Sequence, residues 1–229
     1  MIVYGRNPVR EALRGRRQVT EIWATALVRR EPWLAEARVP VRTVEAEEVE
    51  RRAGSGGHQG ICAAVSAFAY ARGDELLRHA APLIVALDEV QDPQNLGAIC
   101  RTAECAGASG VVICERRAAE VTAAVCKASA GAVEHLPVAR VRNLTDFLTE
   151  AKAAGAWCYG AAADAPSSPS GVEWTGGVVL VLGAEGRGLR PRVAGACDTL
   201  LSLPVRGRIG SLNVSAAAAV LLYAAAAER

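Results

Sequence analysis

From residue 83 onward, short unbroken apolar runs alternate with segments of helical period, and this alternation confines the chain to few folds. The runs 83–87 (LIVAL), 110–114 (GVVIC), 156–161 (AWCYGA) and 178–182 (VVLVL) carry no charge. A run that is apolar at every position belongs to a strand covered on both faces. Between the runs, 96–106, 118–130 and 144–154 follow the helical period, the last with Asn143 as its cap. Shorter strands are expected at 136–138 and 200–203, a helix at 189–196, and a closing helix over 213–227. Strands that alternate with helices pair in parallel, so 83–229 reads as an α/β domain with a mostly parallel sheet. Ligands of such sheets bind at loops beyond the strand C-termini.

Residues 1–68 read as a separate, small α/β unit. Asn7-Pro8 opens a helix to about residue 14, with Pro in the first turn. Strands follow at 19–26, 41–44 and 61–68, and helices at 32–38 and 45–52. The polar stretch 69–82 ends in Pro82 and reads as a linker. Charge also divides the chain. Residues 1–59 hold 11 basic and 8 acidic side chains, and the remainder 15 and 16. A basic N-terminal unit on a near-neutral body suggests a handle for nucleic acid. Of the 26 basic residues only Lys127 and Lys152 are lysines. A GC-rich genome gives that bias, and so does selection for the guanidinium as a phosphate fork.

Several classes are disfavoured. Alanine, with 46 copies, inflates the 51% hydrophobic content. The longest apolar run, 214–227, falls short of the roughly 20 residues that cross a bilayer. The N-terminus is charged by Arg6 and lacks the apolar stretch of a secretory signal. The seven cysteines form no CxxC pair and no cluster with histidine, so reduced thiols in a cytoplasmic protein are expected, with no metal.

Three loops have the composition to carry chemistry. In the first, DEVQDPQNLGAICR (88–101), Asn95 can cap a helix. Arg101 lies roughly 140° around that helix from Leu96, off its buried face. Gly97, one turn below, leaves room beside the guanidinium. The second loop, Gly183-Ala184-Glu185-Gly186-Arg187-Gly188, has the spacing GxxGxG, which matches neither the dinucleotide fingerprint nor the P-loop. Its glycines let backbone approach a ligand, and its carboxylate suits hydroxyls or amines rather than phosphate. A left-handed turn with a solvated Glu has the same sequence. The third loop runs from Leu203-Pro204 through two arginines to Ser211-Leu212-Asn213-Val214-Ser215, ahead of a helix too apolar to face water all round. Simple N-capping accounts for each of these polar residues taken singly. His58, His79 and His135 have no neighbouring nucleophile in sequence.

Together, Asn95-x-Gly97-x-x-x-Arg101, Gly183-Ala184-Glu185-Gly186 and Ser211-Leu212-Asn213-Val214-Ser215 closely resemble the three motifs of the SpoU/TrmH RNA 2′-O-ribose methyltransferases, in order and each after a strand. The segments Tyr4–Leu13 and His58–Ile61 resemble the RNA-binding domain of the subgroup that methylates a guanosine ribose in 23S rRNA. The resemblance implies a trefoil-knotted sheet domain, S-adenosylmethionine as cofactor and a homodimer closed through the apolar last helix. It implies cofactor contacts at Gly183, Leu203 and Leu212. It implies an active-site polar set of Asn95, Arg101, Glu185, Ser211 and Asn213. Leu203-Pro204-Val205 replaces the Ile-Pro-Met common before the third motif, a change that backbone contacts tolerate. The same reaction on a tRNA guanosine, or a non-catalytic ribosome-assembly protein on this fold, would share these motifs.

Overall fold

Each uncharged run becomes a strand in the computed structural model, which describes residues 1–229. The first sheet is built from β1 (Ile2–Tyr4), α1 (Arg6–Arg14), β2 (Val19–Ala24), α2 (Pro32–Ala35), β3 (Val41–Thr43), α3 (Ala46–Ala53) and β4 (Ile61–Val65). Its strand order is β1-β4-β2-β3, with β4 antiparallel to β1 and β2, and β3 parallel to β2. A one-turn helix, α4 (Gly73–Leu76), follows.

The second sheet takes β5 (Leu83–Asp88), α5 (Pro93–Cys105), β6 (Gly110–Cys114), α6 (Ala123–Ala128), β7 (Val138–Val141), α7 (Leu144–Ala153), β8 (Ala156–Ala161), β9 (Gly177–Gly183), α8 (Pro191–Ala194), β10 (Thr199–Leu201) and α9 (Val214–Ala226). The order is β10-β8-β9-β5-β6-β7, and every pair is parallel. The period of two divides each central strand between two cores. Leu83, Val85 and Leu87 join Leu180, Leu182, Ile99, Leu221 and Leu222 on one face. Ile84, Ala86, Val179 and Val181 join Leu144, Phe147 and Leu148 on the other. After the edge strand β10, the chain returns across the sheet, and α9 packs on α5 and β9.

Several boundaries differ from the sequence expectation, each for a local reason. Helix α5 starts at Pro93 rather than residue 96, because the Asp92 side chain accepts the Gln94 N–H and caps it. Helix α6 covers only Ala123–Ala128 of the expected 118–130. The preceding loop is held instead by Val121 N–H to Tyr70 Oη at 2.9 Å and Ala119 N–H to the Val90 carbonyl at 2.9 Å. Strand β7 starts after Pro137, which has no N–H to give the ladder. Helix α1 is capped by Gly5 at φ 96° rather than by Asn7. Helix α8 begins only at Pro191, because the Arg190 N–H is taken by Asp88. The stretch 69–82 is ordered against the second sheet: Leu76 is buried and Ala71 N–H bonds the Val138 carbonyl at 2.9 Å.

The two sheets share a core. Val3, Val9 and Ala12 pack in the same cluster as Cys126, Val133 and Leu136. A buried ion pair sits beside it. Arg17 Nε donates to Glu134 Oε2 at 2.9 Å, and a second guanidinium nitrogen bonds Oε1. Their side chains are 5% and 0% exposed. Nearby, His135 Nε2 meets Glu11 Oε2 at 3.0 Å.

Candidate active site

The site is assembled where three loops meet beyond the C-terminal ends of β5, β9 and β10. Asp88 closes β5 opposite Gly183 of β9. Its carboxylate is buried, yet it accepts the Arg190 N–H at 2.8 Å and Arg190 Nε at 2.7 Å. Those bonds push the Arg190 guanidinium further up, with partial burial opposing. They clamp the end of the glycine loop onto the first strand. Glu89, at φ 58°, adds a contact to Arg190 at 3.2 Å.

The clamp explains the glycines. Gly188 N–H bonds the Ala184 carbonyl at 2.9 Å, closing a tight turn through Gly186 at φ 76°. A Cβ on Gly183 would stand 2.1 Å from the Gly188 carbonyl carbon, so no other residue fits there. The turn presents Glu185.

Asn95 does not cap its helix. It is the third residue of α5, is buried, and bonds across to the glycine loop. Its Nδ2 donates to Glu185 Oε1 at 3.0 Å. Asn213 Nδ2 donates to the same oxygen at 2.6 Å and to Asn95 Oδ1 at 3.0 Å. Asn213 Oδ1 in turn accepts the Ser215 N–H at 2.8 Å, capping α9, and the Ser215 hydroxyl at 2.6 Å. Three residues drawn from 118 positions of chain thus form one closed polar knot, each fixing the rotamer of the others.

The other expected residues stand apart. Arg101 is exposed on α5 with no ion-pair partner, six residues beyond Asn95 and so about 9 Å along the axis. Ser211 is exposed and makes no hydrogen bond within the chain. Gly97 does not make room for the guanidinium. Its missing Cβ would lie 2.4 Å from Ala128 Cβ, so it serves the close packing of α5 on α6. Leu203 is half-buried and Leu212 is 49% exposed. From 203 to 212 no backbone N–H or C=O is bonded within the chain. Val205 and Ile209 on the same loop are also exposed. Free backbone donors and acceptors beside apolar side chains suit a ligand with a polar edge and an apolar body.

Sequence reasoning missed Asp88, Glu89 and Arg190. The available signal was an acidic pair ending a wholly apolar run, and an Arg placed directly before a helix-opening Pro. The structure gathers no group of three or more His, Cys, Asp or Glu able to hold a metal ion. No helix is long and apolar enough to cross a membrane.

Comparison with known proteins agrees with this geometry. Residues 82–223 match the model of the SpoU rRNA methylase family, and residues 2–71 match the RNA 2′-O ribose methyltransferase substrate-binding family. Bacillus subtilis YacO, a protein assigned by name to the TrmH family of tRNA/rRNA methyltransferases, is 38% identical over 96% of this chain and 93% of its own. An AdoMet-bound rRNA methyltransferase from Sinorhizobium meliloti superposes with a TM-score of 0.82 at 25% identity, covering 98% of this chain and 85% of that one. A TrmH/SpoU tRNA-modifying enzyme of A. aeolicus covers 69% of this chain and 80% of its own, with a TM-score of 0.60 at 28% identity. With both segments matched and the three loops converged, the chain belongs to the SpoU family of RNA methyltransferases.

Proposed function

We propose that the protein transfers a methyl group from S-adenosylmethionine to the ribose 2′-hydroxyl of a guanosine in 23S rRNA, acting as a cytoplasmic homodimer. Residues 1–68 bind the RNA, 69–82 join the two parts, and 83–229 form the knotted cofactor-binding domain. The observation that carries this reading is the bonded set Asn95–Glu185–Asn213, which ties all three loops into one site. The ribosomal substrate is supported by the similarity to an rRNA enzyme over nearly the whole chain, against partial coverage by a tRNA enzyme. The homodimer is supported by Val220 and Tyr223, exposed at 49% and 55% on α9, whose other face packs on α5 and β9.

The loops fit the cofactor. Backbone groups of 203–212 are free to bond its polar edges, Leu203 and Leu212 offer apolar contact, and Gly183 lets the glycine loop fold back tightly against the end of β9. S-adenosylmethionine supplies a methyl carbon activated by a sulfonium. The protein has to hold the ribose oxygen in line with that carbon and stabilise the charge that develops on it. Asn95, Glu185 and Asn213 orient the polar groups, and Ser211 adds a free hydroxyl. Arg101, exposed and unpaired, binds the phosphate next to the target ribose and stabilises the developing alkoxide. Its guanidinium stays protonated, which suits that role better than a base.

Arg101→Ala tests the assignment. Turnover is expected to fall by about 100-fold or more, the size of effect seen when a charge-stabilising donor is removed. The dissociation constant for S-adenosylmethionine, measured by calorimetry, should stay within about threefold of wild type. Turnover within about threefold of wild type, or a loss of turnover that tracks a loss of cofactor affinity, would overturn the role given to Arg101.

A further inference from the structure

The N-terminal unit carries a cleft that the proposed chemistry does not use. It lies between α1 and α2, has a volume of about 410 Å³, and is walled by Leu13, Val39, Trp33, Arg10, Arg14 and Arg38. Four arginines line it, counting Arg17 at its floor, against one carboxylate, Glu36. Arg10 and Arg14 share a single partner, Glu11, which His135 also contacts. Arg38 is exposed and has no ion-pair partner. Glu134 holds the charge of Arg17, which leaves Arg10, Arg14 and Arg38 against Glu11 and Glu36, a net cationic rim.

Trp33 is the second observation. Leu34 beside it is buried and anchors the one-turn helix α2, leaving Trp33 half-buried at the wall. Of the four tryptophans, Trp23 has Arg52 over its ring, Trp157 stacks on Tyr159, and Trp174 meets Tyr159 edge-on. Trp33 alone has neither an aromatic nor a cationic partner. An indole that rests on the core and lines a cleft walled by arginines is the chemistry that takes an unstacked base, with guanidinium groups on the flanking phosphates.

We propose that this cleft binds one unpaired nucleotide of single-stranded RNA, its base stacked on Trp33 and its neighbouring phosphates on Arg10, Arg14 and Arg38. The inference rests on the reading of residues 1–68 as the RNA-binding part and names the kind of RNA it grips. A loop or bulge in the substrate, rather than a duplex, is what the N-terminal unit recognises. The cleft holds that element while the target ribose reaches the separate site beyond β5 and β9.

The test uses the full-length protein and a labelled single-stranded oligoribonucleotide, with a duplex of the same sequence alongside, read by fluorescence anisotropy. Wild type should bind the single strand more tightly than the duplex. Trp33→Ala should weaken single-strand binding at least about fivefold, the lower end for loss of one base stack, and Trp33→Phe should restore most of it. Arg38 is exposed and unpaired, so Arg38→Gln should lower the salt slope for the single strand by about 0.7. Equal binding of both RNAs, or Trp33→Ala and Arg38→Gln proteins that bind as wild type, would overturn the proposal. Methyl transfer separates this from failure of the proposed function. Transfer with an unchanged KM in Trp33→Ala removes the pocket and keeps the enzyme, whereas Trp33-dependent binding without transfer to any RNA keeps the pocket and removes the enzyme.

Discussion

Removing one partner of the Arg17–Glu134 pair should destabilise the protein far more than any surface charge change. Both side chains are nearly inaccessible, and the guanidinium donates twice to the carboxylate. Arg17 is also 3.4 Å from Cys126 Sγ, and Gly15 lies against Glu134, where a Cβ would approach to 2.6 Å. Glu134, with its side chain 0% exposed, would be left as a buried unpaired carboxylate if Arg17 were removed. Breaking such a pair costs about 3–5 kcal/mol, whereas replacing both members by apolar groups is often close to neutral. Arg17→Met and Glu134→Met alone should each lose about that much, and the double variant should recover most of it. Urea unfolding reads the effect directly. With a slope of about 1–3 kcal/mol per molar, each single variant moves the midpoint down by about 1 M or more. The pair bridges the two sheets, so loosening it should also raise the KM for RNA while S-adenosylmethionine affinity holds. Single variants within about 0.5 kcal/mol of wild type, or strictly additive effects, would refute the reasoning and show the pair to be solvated.

Other outcomes follow from the packing and the thiols. Gly97→Ala should destabilise by about 1–3 kcal/mol, because overpacking against Ala128 outweighs the roughly 1 kcal/mol gained in helix propensity; thermal melting reads the sign. Gly183→Ala forces its Cβ into the Gly188 carbonyl and should abolish measurable S-adenosylmethionine binding in calorimetry while the N-terminal unit still binds RNA. Asn213→Ala removes the cap of α9, costing about 1 kcal/mol in denaturant unfolding, and releases Glu185, so turnover should fall with it. Burial pushes the Cys100, Cys158 and Cys197 thiols up to about 12 and Cys62 and Cys126 up to about 11. These thiols stay neutral in the folded chain after their unfolded counterparts ionise near 9. Their contribution to stability is therefore complete below pH 9 and declines toward pH 11–12, and urea midpoints taken at pH 8 and pH 10 should differ in that direction. At pH 8 a thiol reagent should find one rapidly reacting cysteine, the exposed Cys105, and all seven only after unfolding.

The parallel sheet was legible because its evidence is local: unbroken apolar runs such as 178–182 have no other stable home than a strand covered on both faces. Asn95, Glu185 and Asn213 were legible as residue types but not as a bonded set, since their contact depends on the Asp88–Arg190 clamp across 102 residues. Nothing local to Asn95 distinguishes a cap from a side chain aimed at a distant loop. Asp92, three residues earlier and directly before Pro93, takes the cap and leaves Asn95 free. Gly97 was misread for the related reason that its role is set by Ala128, on a helix whose start the periodicity placed five residues early. The linker reading of 69–82 followed from its polarity, while its attachment runs through backbone bonds and one buried leucine that composition does not register.

The most direct measurement is transfer of labelled methyl from S-adenosylmethionine to unmethylated 23S rRNA and, separately, to tRNA, with the label mapped by nuclease digestion. The expected result is a single 2′-O-methylguanosine in 23S rRNA, lost in Arg101→Ala. Label confined to tRNA would contradict the substrate. No label in either RNA, with the cofactor bound, would contradict the methyl-transfer site itself.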